Sequence, residues 1–192
     1  MKKKLMTVLA LVLVIALSVA GTYAYLTSQD TVTNTFTVGK VAITMDEAAV
    51  NEYGVAIDGE ARRDANEYKL VPSHEYTKDP TVHFQAKSEA SYLFVKVENG
   101  ISAIEAADNN TIADQIKANG WSALDGVDNV YWMKVDANTG AAPIDYPVFG
   151  SFKIADNADT AAYGTAQIVV TAYAIQADGF TTAAAAWTEV SK

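Results

Sequence analysis

The apolar–polar period that recurs along this chain is two, and that spacing confines it to β-structure. Thr31, Thr33, Thr35 and Thr37 alternate with Val32, Asn34, Phe36 and Val38, the pattern of a half-buried strand rich in β-formers. After Gly39 the apolar set shifts to Val41, Ile43 and Met45. A one-residue change of phase at a glycine gives either one bent strand or two consecutive strands. Further strands are expected at Tyr68–Val71, Thr81–Lys87, Ser91–Glu98, Val130–Val135, Val148–Ile154 and Thr165–Ile175, with breaks at Pro72 and Asp79-Pro80. The last carries Ile168, Val169 and Val170, apolar on both faces, so it is expected at the centre of a sheet. Residues 46–67 are polar and read as an exposed excursion. The spacing predicts one helix near residues 111–119. Asn110 or Thr111 caps it, Asp114 lies in its first turn, Ile112 and Ile116 share a face, and Gly120 stops it. Ala183–Trp187 reads as a short terminal helical turn. Many short strands without a βαβ rhythm describe an all-β chain, an antiparallel β-sandwich with one short helix inserted.

Half of the 192 residues are apolar and 19% are charged, a composition that folds rather than one that stays disordered. The chain has no cysteine. Disulfides, thiolate zinc sites, iron–sulfur clusters and thiol nucleophiles are thereby excluded. Lys2, Lys3 and Lys4 precede an unbroken apolar run from Val8 to Leu17, and Thr22-Tyr23-Ala24 places small residues at the −3 and −1 positions. These features make an export signal over residues 1–24, cleaved between Ala24 and Tyr25. The alternative is an uncleaved signal anchor, but ten apolar residues fall short of a comfortable span. Cleavage removes three lysines and no acidic residue, leaving 11 basic against 23 acidic side chains and a net charge of −12. Such a surface repels nucleic acid and anionic lipid, so contact with a membrane is expected only through the signal peptide before cleavage. Residues 25–192 are expected to form one domain.

Little in the chain points to catalysis. His74-Glu75 opens as a zincin motif would, but Lys78 stands where the second histidine belongs, and Pro72 and Pro80 argue against a helix. His83 alternates with Val82 and Phe84 on the polar face of a strand. Both histidines read as surface residues, and no catalytic residue, metal ligand or cofactor site is assigned. The acidic turns Asp125-Gly126-Val127-Asp128-Asn129 and Asp156-Asn157-Ala158-Asp159 carry oxygen ligands of the kind calcium takes, without EF-hand spacing. Tyr92, Phe94, Tyr131, Trp132, Phe149, Phe152 and Tyr173 fall on expected strands and read as core.

Several segments carry a resemblance. Gly21-Thr22-Tyr23-Ala24-Tyr25-Leu26-Thr27 and Asp30-Thr31-Val32-Thr33-Asn34-Thr35-Phe36-Thr37-Val38-Gly39 are similar to the start of the TasA/camelysin family. Lys69-Leu70-Val71-Pro72, Lys78-Asp79-Pro80-Thr81-Val82, Tyr92-Leu93-Phe94-Val95-Lys96-Val97, Val170–Phe180 and Ala186-Trp187 add to it. The resemblance is not drawn over residues 46–67 and 99–145, which a single sequence does not align. The resemblance implies a Gram-positive exported protein whose signal peptide is processed by a SipW-type signal peptidase. It also implies a jelly-roll-like sandwich that assembles head to tail into extracellular fibres of the biofilm matrix or cell surface. There the freed N-terminus would extend into the next subunit and complete its sheet, with residues 25–38 as donor and Tyr25, Leu26, Val32 and Phe36 as its anchors. Physically this is β-augmentation through a contact that does not close. Equally, residues 25–45 can form the first strands of their own domain. The same family carries a second implication, a camelysin-like cell-surface metalloendopeptidase. A third reading is a secreted binding or accessory protein that does not polymerise.

Overall fold

Leu93, Val95 and Val97 alternate with Tyr92 and Phe94 along a single segment, so that strand needs a cover on each face. A computed structural model describes Met6 and residues 39–192. The expected signal peptide, the Ala24–Tyr25 bond and the donor residues Tyr25, Leu26, Val32 and Phe36 lie outside the described residues. Residues 39–192 form one compact unit. Its elements are β1 (Ile43–Asp46), β2 (Glu75–Thr77), β3 (Thr81–Phe84), β4 (Ser91–Asn99), α1 (Ile112–Ala118), β5 (Ser122–Ala123), β6 (Val130–Val135), β7 (Ile144–Pro147), β8 (Ser151–Lys153), β9 (Ile168–Gln176) and α2 (Ala183–Val190). A 3-10 turn at Thr160–Tyr163 precedes β9.

All strand pairing is antiparallel, in three groups: β1-β3-β7, β2-β8 and β5-β6-β4-β9. Leu93, Val95 and Val97 on the inner face of β4 share one core with Val82 and Phe84 of β3, Tyr76 of β2 and Phe152 of β8. The first two groups thus wall one side of that core and the four-stranded sheet walls the other. Tyr76 and Phe152 stack at 4.9 Å across the β2–β8 pair. On the outer face, Tyr92 and Phe94 join Leu124, Val130, Ala183 and Ala186 in a second core roofed by α2. Trp187 of α2 sits 5.3 Å from Phe94 and 5.2 Å from Tyr173, ring centre to ring centre. The all-β class with minor helix is therefore observed, with α2 a second helix of eight residues rather than a brief turn.

Several local expectations are corrected. β4, not β9, holds the centre of the four-stranded sheet, because β4 pairs with both β6 and β9. The two apolar faces of β9 have a different cause. Ile168, Val170, Ala172 and Ala174 meet the main core, while Tyr173 and Ile175 lie against the core under α2.

Residues 68–71 form no strand, and β2 begins at Glu75 instead. Their polar groups are held one at a time: Lys69 N–H donates to Glu52 O at 2.7 Å, and Val71 N–H donates to the Tyr76 hydroxyl at 2.7 Å. That hydroxyl donates in turn to Lys69 O at 2.7 Å. Tyr68 and Leu70 still pack on the core, which is the apolar signal the sequence carries there.

The expected strand at 148–154 is shorter than read: within it only β8 forms, β7 ends before it at Pro147, and Phe149 is buried in the link between the two. The excursion at 46–67 is exposed at its tip but buries Glu47, Ala49 and Val50. It presses on β2 so closely that a Cβ at Gly54, whose φ is +71°, would lie 2.7 Å from Tyr76 Cα.

The helix expectation holds. Thr111 caps α1 and makes a full capping box with Asp114, Ile112 and Ile116 are buried, and Gly120 follows with φ +89°.

Candidate functional site

A strand at a sheet edge carries unpaired backbone donors and acceptors, and most edges here are short or guarded. β5 has two residues, and β7 has four and ends in Pro147, which has no N–H to offer. Arg63 forms paired backbone hydrogen bonds with Glu47 of 2.7 and 2.8 Å, just past the end of β1. Arg62 donates to Asp46 O at 3.2 Å beside it. β9 differs. It runs nine residues and pairs, among the described residues, with β4 alone. Val169 on it is 40% exposed.

Between the N-terminal half of β9 and the β1 side of the molecule lies a groove of about 960 Å³. Its apolar lining includes Met45, Tyr68, Ile101, Phe152, Ile168 and Val170. Gly100 makes the β9 end of the groove possible. Its N–H donates to Gln167 O at 2.9 Å, and a Cβ there would stand 2.7 Å from that oxygen.

The other side of the groove is polar and internally satisfied. Glu47 is 3% exposed; its carboxylate pairs with Lys78 Nζ and accepts from Asn66 Nδ2 at 2.8 Å. The Tyr68 hydroxyl donates to Thr77 O at 3.1 Å. Burial, then the nearby charges of Glu47 and Asp79, push its ionisation well above the usual phenol range, so it remains a donor. Arg62 pairs with Asp46 and lies 2.8 Å from Asp79 Oδ2, and Asp79 Oδ1 accepts from Ala48 N–H at 2.6 Å. Five acidic and two basic residues line the groove. An apolar slot beside a strand that pairs on one side only among the described residues, with a closed polar wall opposite, suits an extended segment with alternating apolar side chains.

None of the sequence-assigned assembly residues falls among those described. Sequence reasoning missed Glu47, Arg62 and Asn66. Glu47 stands between Met45 and Ala48-Ala49-Val50, and a carboxylate in an apolar stretch was the available signal. Lys78, Asp79 and Pro80 were noted for resemblance, and all three have a place at the groove or its wall.

The histidines are not free surface groups. His74 Nε2 lies 2.8 Å from Tyr53 O, and its ring meets Tyr76 at 4.5 Å. His83 Nδ1 is 2.6 Å from Asp145 Oδ1 and Nε2 is 3.0 Å from Asp46 Oδ1. The polar-face placement of His83 is correct; its engagement on both sides is the correction. Tyr92, Phe94, Phe149 and Phe152 are buried, and Tyr131, Trp132 and Tyr173 pack against the two cores, as a core reading requires.

The sequence pattern of the family described as camelysin metallo-endopeptidase matches residues 1–56, which bears out the TasA/camelysin resemblance. No curated relative and no solved structure is similar enough to the chain to count as a match. The family's description implies a metal, and the described residues do not fit one. Among the described residues no three His, Cys, Asp or Glu side chains gather to hold an ion. The two carboxylates at His83 meet opposite ring nitrogens instead of converging on a point. Residues 1–38 contain no His, Cys or Glu, and Asp30 as their one carboxylate. No helix among the described residues is long and apolar enough to cross a membrane.

Proposed function

From a chain that carries the N-terminal block of the TasA/camelysin family, we propose a structural subunit of extracellular or cell-surface fibres. It is exported by a SipW-type signal peptide and joins head to tail through its N-terminal strand. The observation that supports this most directly is the nine-residue strand β9, which among the described residues pairs on one side only, beside the apolar groove. In this reading residues 25–38 of one subunit add to that edge in the next, with Leu26, Val32 and Phe36 seated in the apolar slot. Cleavage after Ala24 frees the donor only after export, so assembly is withheld inside the cell. The partner is a second copy of the chain, and the cell a Gram-positive bacterium.

Electron microscopy of residues 25–192, beside a chain beginning at Gly39, tests it. Filaments are expected from the first and discrete particles from the second. Filaments from both would remove the N-terminus as donor. Particles from both, at every concentration tried, would favour a monomeric surface protein. Cleavage of casein by the purified chain, lost in His74→Ala, would favour the peptidase reading instead.

A further inference from the structure

The sheet β1-β3-β7 is held by short ladders of four residue pairs on each side of β3. Its solvent-side face carries polar groups, and His83 stands at the middle. In the register His83 lies opposite Asp145 of β7 and Thr44 of β1, with Asp46 two residues further along β1. The ring spans all three strands: Nδ1 lies 2.6 Å from Asp145 Oδ1, and Nε2 lies 3.0 Å from Asp46 Oδ1. Nε2 is buried and makes no aligned hydrogen bond.

The charged groups around the ring come from every neighbouring element. Asp46 arrives from β1 and Asp145 from β7. Arg62, in the excursion after β1, pairs with Asp46 and with Asp79, which sits in the turn before β3. The Thr44 hydroxyl accepts from Gln85 Nε2 at 3.0 Å. Three carboxylates thus face one guanidinium and the imidazole. A neutral imidazole has one N–H and can serve one carboxylate, whereas the imidazolium has two and can serve both.

We propose that His83 is a proton-dependent clasp of the β1-β3-β7 sheet, closed when both ring nitrogens carry a proton and half released when one does. Burial of the ring opposes the charge, but the close contacts with and attraction to Asp46 and Asp145 outweigh it and hold the proton above the usual histidine value of 6.5. The stabilisation is therefore complete below 6.5 and is lost as pH rises through the higher folded value. Asp46 sets the other limit. Burial opposes its charge, while Arg62 and His83 outweigh that and lower its pKa below 3.8, so its share is lost as pH falls through that lower value. Between those limits the clasp firms β1, and Met45, Asp46 and Glu47 of the groove are at its end.

The clasp is a property of one subunit and does not rest on fibre formation; a chain that never makes filaments leaves it untouched. The test is amide hydrogen exchange of the full chain, corrected for intrinsic rates, at about pH 8 and about pH 5.5. Protection in β1, β3 and β7 is expected to rise several-fold at the lower pH, with β4 and β6 unchanged. His83→Gln is expected to abolish the rise. Asp145→Asn, at a side chain 64% exposed, is expected to reduce it without unfolding the chain. An equal rise in His83→Gln, or no rise in the unaltered chain, would overturn the clasp. So would an imidazole proton resonance of His83 that titrates below 6.5.

Discussion

Glu47 is held with its side chain 5% exposed: Lys78, itself 11% exposed, stands against one carboxylate oxygen and Asn66 donates to the other. Neither ion is favourable there alone, since desolvation of each costs several kcal/mol and only the pairing offsets it. Lys78→Met is therefore expected to lose about 3–5 kcal/mol, and Lys78→Met/Glu47→Leu to recover most of the loss. Urea melts of the two variants and the parent measure both quantities. A loss below about 1 kcal/mol in the single variant would show the pair to be effectively solvated. At this scale the sequence was readable for capping and turn chemistry, as at Thr111 and Gly120, where the signal is local. The pairing of Glu47 with Lys78 was not, because it joins residues 31 apart that share no motif.

The elements show where periodicity speaks and where it is silent. Alternation placed β3 and β4 with their inner faces correctly, because each has one face in the main core, and it located β6 and β9 as strands. It misjudged which strand is central, since β9 is apolar on both faces for a reason outside its own sheet. α2 covers it. The helix was itself underread: Ala183-Ala184-Ala185-Ala186 has no polar face to reveal a 3.6-residue period, and its length is settled by Trp187 meeting Phe94 and Tyr173. Trp187→Ala is expected to cost about 2–4 kcal/mol and to open the outer face of the four-stranded sheet. Calorimetry together with binding of a hydrophobic dye reads both effects. An unchanged melting temperature would mean that α2 is not part of the cooperative unit.

For the molecule as a whole, the proposed cleavage after Ala24 would leave a charge of −12, which would set a repulsion between copies of the chain. Under the fibre reading, filament growth at low ionic strength is expected to increase from neutral to mildly acidic pH, and also with added salt at constant pH. Light scattering followed over time checks this. Growth insensitive to both would exclude net charge as the restraint on assembly.

What the amino-acid order determined alone is whatever depends on neighbours in the chain. The all-β class follows from period-two alternation, the position of α1 from its caps, the lack of disulfides from the lack of cysteine, and the TasA/camelysin resemblance from its N-terminal block. Tertiary structure decided what depends on distant partners. It put β9 at the edge of the four-stranded sheet among the described residues, opened the groove beside it, buried Glu47 against Lys78, and set His83 between two carboxylates. Such outcomes turn on which strands meet and in what register, and a segment's own pattern does not encode that.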